Sequence, residues 1–331
     1  MPSRDFSFRE YLLGGVRVEV TSDDAPLLDE IAVTLGDVRH DPSSGIPLRA
    51  TFRSAGADSP RGLLDLVAED PTALTPDDLL LGLDSPGFPF RLCSSEEGWT
   101  SFAFLDDREP LLSFRGGECV VWKRDRWRIA VGLLLLHRIY RLRRDAIFFH
   151  ASSLDLAGKG VIFIGPKGAG KSTTALALAA RNVPLLGDEI ACYRPADGML
   201  EPFRRPVGIK PGPRASGVDR SLHALAMEPV NDVLRIDARR LFEAEAAVVP
   251  LQIIVFLDPF APEPCLTRVE TTRDELALLQ PVVSSLVSAP RTQRVFQMAR
   301  MLSSAIIYRL SPGNPDATAE LICRTLGGAT A

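Results

Sequence analysis

A stretch of thirteen residues, Val161-Ile-Phe-Ile-Gly-Pro-Lys-Gly-Ala-Gly-Lys-Ser-Thr173, limits the folds open to this chain more than any other. A run of β-formers empties into a glycine-rich turn, and an alanine-rich stretch that reads as a helix comes next. Gly165, Gly170, Lys171 and Ser172 meet the pattern G-x-x-x-x-G-K-[ST] in the strand–turn–helix context the motif requires. The expected fold class is therefore α/β. Gly165, Pro166, Lys167, Gly168, Ala169, Gly170, Lys171, Ser172 and Thr173 form the expected cradle. The glycines let the backbone curl so that successive N–H groups face phosphate oxygens, and the helix start adds its positive dipole end. In a bound ATP, Lys171 would bridge the β- and γ-phosphates, and Ser172 would offer a hydroxyl to Mg²⁺, which prefers oxygen ligands.

Composition narrows the class of protein. At 331 residues the chain has room for two domains, and 46% hydrophobic with 24% charged residues fits a packed core rather than disorder. A net charge of −4 supplies no basic field, so nucleic acid is not an expected partner. Cys93, Cys119, Cys192, Cys265 and Cys323 are scattered without a C-x-x-C pair, which points to reduced thiols and a cytoplasmic setting. The first residues lack the apolar core of a signal peptide, and Ile129 to Leu136 is too short to span a bilayer, so no membrane is expected.

Along the chain, residues 1–144 read as a smaller β-rich α+β domain of unassigned role, and 145–331 as the phosphate-loop domain. Gly15 to Val20 alternates as a half-buried strand, Ala25 to Leu35 is spaced as a helix behind the capping candidates Ser22 and Asp23, and Ile46 to Phe52 is a further strand. Ser54 to Pro60 reads as a break and Pro71 to Asp84 as an acidic, proline-punctuated stretch. Trp99 to Leu105 and Leu111 to Phe114 fit a hairpin. The strand end and helix read from Val120 to Arg144 carry Lys123, Arg124, Arg126, Arg128, Arg138, Arg141, Arg143 and Arg144. They suit either a docking face for an acidic partner or a solvated face whose arginine stems cover apolar surface. Beyond the loop, strands and helices alternate, which implies a parallel sheet.

A phosphate loop needs a partner carboxylate, to hold a metal or to take a proton. Asp188-Glu189 comes after the short apolar strand Val183 to Leu186, while Asp258 closes Leu251 to Leu257. Spacing alone does not choose between them. His150, which ends an apolar strand fifteen residues before Gly165, favours the first pair.

His150, the hairpin-like Ala151 to Gly160, the loop, and the acidic pair after Leu-Leu-Gly together resemble the catalytic domain of bacterial HPr kinase/phosphorylase. The resemblance runs from about Phe148 to Lys210, and the HPr-kinase-related group is its nearest form. It implies a phosphoenolpyruvate-carboxykinase-like nucleotide fold, ATP and Mg²⁺ as cofactors, and phosphoryl transfer to a serine-type hydroxyl. By motif position Asp188 is the implied general base, with His150 orienting the hydroxyl and Lys171 on the phosphates. Ser172, Glu189 and Asp188 are the implied metal candidates. Arg204, Arg205 and Lys210 occupy a Pro-Arg-Pro-like segment suited to the transferred phosphate or an acidic acceptor, or else to an exposed sheet edge. Phe203 stands where HPr kinases have a glutamate and Pro206 where they have a glycine, so neither HPr itself nor phosphorylase activity is carried over. A protein or peptide acceptor and a homo-oligomer are the implied partners. Free serine as acceptor, and a nucleotide-switch ATPase centred on Asp258, remain as alternative readings.

Overall fold

The computed structural model describes residues 6–35, 45–54, 61–68, 90–104, 108–115, 118–209, 226–230, 233–236, 247–270, 273–279 and 291–327. The chain divides into two compact units, Met1–Arg143 and Arg144–Ala331.

The first unit holds β1 (Ser7–Leu13), β2 (Val16–Ser22), α1 (Ala25–Leu35), β3 (Ile46–Ser54), β4 (Gly62–Ala68), β5 (Phe90–Glu96), β6 (Trp99–Phe104), β7 (Leu112–Arg115), β8 (Glu118–Val121) and α2 (Trp127–Leu142). Its eight described strands form one sheet in the order β1-β2-β3-β4-β8-β7-β6-β5. In β2 every second residue is buried, so Val16, Val18 and Val20 face the helices while Arg17 and Glu19 do not. The α1 crossover makes β2 and β3 parallel, and β6 pairs with β7 as an antiparallel hairpin. Trp127 of α2 packs on Phe52 with ring centroids 4.7 Å apart.

Two expectations are corrected in this unit. The cap of α1 is Asp24, whose carboxylate accepts from the Leu27 amide at 2.8 Å. Ser22 braces Asp24 instead, and Asp23 accepts from the Ser54 amide. Nor do the α2 arginines form one solvated or docking face. Arg138 and Arg143 are 3% and 4% exposed, and Arg143 donates to the Gly14 carbonyl. A count of charges cannot foresee that a turn carbonyl will draw a guanidinium inward. The stretch Pro71 to Asp84, with most of Ser54 to Pro60, lies outside the described residues.

The second unit holds β9 (Ile147–Phe149), β10 (Ser152–Leu156), β11 (Lys159–Ile164), α3 (Lys171–Ala179), β12 (Leu185–Gly187), β13 (Ala191–Arg194), β14 (Met199–Glu201), β15 (Val207–Ile209), β16 (Ala226–Val230), β17 (Val233–Ile236), β18 (Val249–Leu257), β19 (Cys265–Val269), α4 (Arg273–Leu279), α5 (Arg291–Ser304), β20 (Ile306–Ser311) and α6 (Pro315–Leu326). Strands β11, β18 and β20 are parallel neighbours, with Ile164 opposite Phe256 and Phe256 opposite Arg309. The hairpin read over Ala151 to Gly160 is present as β10 and β11, whereas beyond the loop the sheet is mixed rather than simply parallel. β10 and β12 join the β11 side antiparallel, and β14, β13 and β9 run antiparallel beyond the first half of β18. The connections explain this, because a two-residue turn between β10 and β11 can only reverse the chain, whereas a helical crossover restores its direction.

Both sheet faces are covered, which is why β11 and β18 read as continuous apolar runs. Val161, Phe163, Ile253 and Val255 pack with Ala175 and Leu178 of α3 and Ile322 of α6. Ile162, Ile164, Ile254 and Phe256 face Leu279 of α4 and Met298, Met301 and Leu302 of α5. The unit is a mixed α/β layer structure, and its central parallel strands all end at the edge where the glycine-rich turn begins.

Candidate functional site

The turn leaves β11 at Ile164 and re-enters regular structure at Lys171. Gly168 and Gly170 take φ values of +87° and +97°, a region that costs a residue with a side chain. At Gly170 a Cβ would also meet the ring of Phe260 at 2.9 Å. Gly170 caps α3 with no side chain of its own, which leaves the first amides of α3 facing the turn. The Thr174 amide, donating to Gly170 at 2.8 Å, begins the helical pattern. Lys171 is only 8% exposed, and its ammonium donates to the carbonyls of Gly165 at 2.8 Å and Pro166 at 3.1 Å. It thus lies across the turn from helix to strand. Ser172 and Thr173 sit in the first turn of α3, half-buried. Amides, dipole, ammonium and hydroxyl converge in the arrangement that suits a phosphate chain with Mg²⁺.

Asp188 comes directly after β12 and is 2% exposed. The Ser152 hydroxyl donates to its Oδ1. Burial pushes its carboxyl above the ordinary carboxylate range. The Ser152 hydroxyl opposes the shift, the Glu189 charge adds to it, and the Ser172 hydroxyl and the Glu189 amide also oppose it. Although Ser172 is near enough to favour the ionised form, no hydrogen bond of good geometry reaches Oδ2, which is buried. A half-satisfied carboxylate beside a glycine-rich turn suits a proton acceptor or a metal ligand.

The corner is held by the main chain. A Cβ on Gly187 would lie 2.4 Å from the Ile190 carbonyl oxygen, so only glycine permits this reversal. Glu189 adopts φ +61°, unusual for a residue with a side chain, and its carboxylate lies 3.9 Å from the Arg205 guanidinium. Phe203 donates its amide to Leu186 at 2.7 Å, which lays the segment after β14 along β12. Arg204 donates to the Leu185 carbonyl at 3.0 Å, and Arg205 is 9% exposed. Neither behaves as an exposed sheet edge: Arg204 braces β12 and Arg205 faces the acidic corner. Lys210 lies outside the described residues. His150 is exposed, one residue past the Phe149–Ala191 pair of β9 and β13 and two before Ser152, so it stands at the same corner as Asp188.

Asp258 differs. It is the next residue after Leu257, whose side chain would touch a Cβ on Gly165 at 2.9 Å, so it too borders the turn. Its carboxylate, however, accepts from Arg309 at 2.7 Å, and Arg309 also lies 3.6 Å from Glu275. That network engages Oδ1 of Asp258 with a guanidinium. Among the described residues no three His, Cys, Asp or Glu side chains form a metal-holding cluster, so Mg²⁺ would lean on Ser172, one or two acids and the phosphates themselves. Among those residues, too, no helix is long and apolar enough to cross a membrane.

Ser152, Phe260 and Arg309 escape a reading by motif. The guanidinium set among the apolar residues of β20 is a signal that a partner exists, whereas Ser152 carries none.

No protein-family model matches this sequence, and no curated protein does. Among solved structures the chain is similar to the Hpr(Ser) kinase/phosphatase from Coxiella burnetii, at 19% identity over 38% of this chain and 77% of that one, with a TM-score of 0.22. A likeness of that grade carries no weight beside the geometry of the site itself.

Proposed function

We propose that this chain is an ATP- and Mg²⁺-dependent phosphotransferase that acts on a serine-type hydroxyl of a protein or peptide. One observation carries the reading: a buried carboxylate with an unpartnered oxygen, Asp188, stands where the Ser172 hydroxyl of the glycine-rich turn can sense it. An ATPase needs only water at such a place, which a paired, half-exposed acid can orient; a raised, half-satisfied carboxylate suits removal of a proton from an alcohol.

In this reading the turn amides and Lys171 bind phosphate oxygens, and Asp188 Oδ2 receives the proton of the attacking hydroxyl. Exposed His150 meets the acceptor and helps orient it, and Arg205 sets the direction of Glu189. Bound ATP with Mg²⁺, held through Ser172 and the Asp188-Glu189 pair, would supply the phosphoryl group and neutralise its charge. The remaining work is positioning and electrostatics, the larger part of catalysis in phosphoryl transfer.

The test uses the full chain, γ-labelled ATP, Mg²⁺ and a degenerate library of serine-containing peptides, with threonine peptides and free serine as separate arms. Label on serine peptides, lost in Asp188→Asn while ATP still binds, is the expected result. Label on free serine alone would move the acceptor from peptide to small molecule. Hydrolysis without transfer that survives Asp188→Asn and is lost in Asp258→Asn would replace the reading with the ATPase.

A further inference from the structure

We propose that Ser152 is a positioning residue for Asp188: its hydroxyl anchors one carboxylate oxygen so that the other, Oδ2, is presented to the acceptor. The inference rests on the phosphotransferase reading above and adds a residue which that reading does not use. Ser152 opens β10 and is 0% exposed, so its hydroxyl has no water to fall back on. It donates to Asp188 Oδ1, across 36 residues of sequence.

The local backbone is arranged for that contact. β10 and β12 pair at Ser153–Gly187 and Leu154–Leu185, so Leu186 is an extra residue, and the bulge re-aims the chain beyond it. The glycine-only reversal at 187 then turns Asp188 back toward the first residue of β10. A carboxylate left to itself rotates broadly about its last torsion, and its two oxygens are interchangeable. A donor fixed on Oδ1 removes that freedom and leaves Oδ2 as the oxygen without a well-formed hydrogen bond. A buried strand position with nothing to hold would be served at less desolvation cost by alanine or valine.

The experiment measures kcat and KM for labelling of the same serine-peptide library, with the apo crystal structures of the variants as a second readout. Ser152→Ala is expected to lower kcat roughly 10–100-fold, as loss of a supporting hydrogen bond commonly does. KM for ATP should stay within about twofold, because the phosphate cradle is untouched. Ser152→Thr keeps the hydroxyl and should restore most of the rate. In an Asp188→Asn background Ser152→Ala should add nothing, since it acts through Asp188. The Asp188 carboxylate should hold its place in the threonine variant and turn in the alanine variant. If Ser152→Ala does not fold, Ser152→Cys, which keeps the volume and weakens the donor, is held to the same standard.

A kcat for Ser152→Ala within about twofold of the parent, with Asp188→Asn inactive, would overturn this proposal and leave the phosphotransferase reading standing. Equal losses in the alanine and threonine variants, accompanied by falling thermal midpoints, would overturn it as well and assign Ser152 to packing. Activity that survives Asp188→Asn would bring down the reading and this inference together.

Discussion

Two carboxylates border the same glycine-rich turn, and their surroundings differ in kind. Asp188 is closed off from water, holds a hydroxyl on one oxygen and has no partner of good geometry on the other. Asp258, at 29% side-chain exposure, is half wet and bound to an arginine that also faces Glu275. The comparison separates proximity from availability. Both acids border the glycine-rich turn, but only Asp188 combines an oxygen without a well-formed hydrogen bond with burial, a setting that raises its proton affinity. Asp258 is arranged as a clamp between β18 and β20, a structural task that a satisfied ion pair performs.

The sharpest way to break this contrast is the same substitution at both places. Asp188→Asn should lower transfer to serine peptides by roughly 10²–10⁴-fold while calorimetric ATP binding persists, and Asp258→Asn should leave turnover within about fivefold. Comparable losses at the two positions would erase the distinction. Next in size is the backbone that builds the buried corner. Gly187→Ala forces a Cβ against the Ile190 carbonyl, and thermal or denaturant unfolding should read at least about 2 kcal/mol of destabilisation. Asp258→Asn breaks a pair about one-third exposed, so its stability cost should be only about 1 kcal/mol after solvent screening.

A smaller effect concerns the sign of a pH dependence. Burial raises the Asp188 carboxyl in the folded chain from its ordinary 3.8, so the native state holds its proton more tightly than the unfolded state. Stability from this group is therefore lost as pH rises from about 4 through the folded value. Asp188→Asn should match or exceed the parent in thermal midpoint at neutral pH and lose that advantage near pH 3, in scans across pH. A parent that outperforms the variant at neutral pH would show that the carboxylate is better solvated than its burial implies. The smallest effect is chemical access. Cys192, fully buried in β13 on the Asp188 side, should alkylate only on unfolding, whereas exposed Cys265 in β19, on the Asp258 side, should label in the native protein.

Much of the corner around the glycine-rich turn was legible because it is contiguous. Strand, turn and helix from Val161 to Ala179 are specified by neighbours in sequence: β-branched residues, glycines where φ must be positive, then alanine and leucine. The start of α6 is fixed just as locally, by the Asn314 side chain that caps it and Pro315 behind it. The arginines were not legible in this way. Whether Arg138, Arg205 or Arg309 meets water or a partner depends on surfaces assembled from distant segments, and no local period encodes it.

By itself, then, the sequence determined the glycine-rich turn between strand and helix, the apolar strands that must be buried on both faces, and two acids that follow strands of the same unit. Only the tertiary structure gave the two acids different surroundings. Asp258 meets Arg309 across 51 residues and Asp188 meets Ser152 across 36, through strand neighbours that chain order does not reveal. The sheet also decided that β10 and β12 run antiparallel, with a bulge at Leu186 that a strand-by-strand reading passes over. The physical reason is the same in each case. Propensity, glycine geometry and apolar periodicity act over a few residues, whereas desolvation and pairing of a charge are set by whatever the whole fold brings against it.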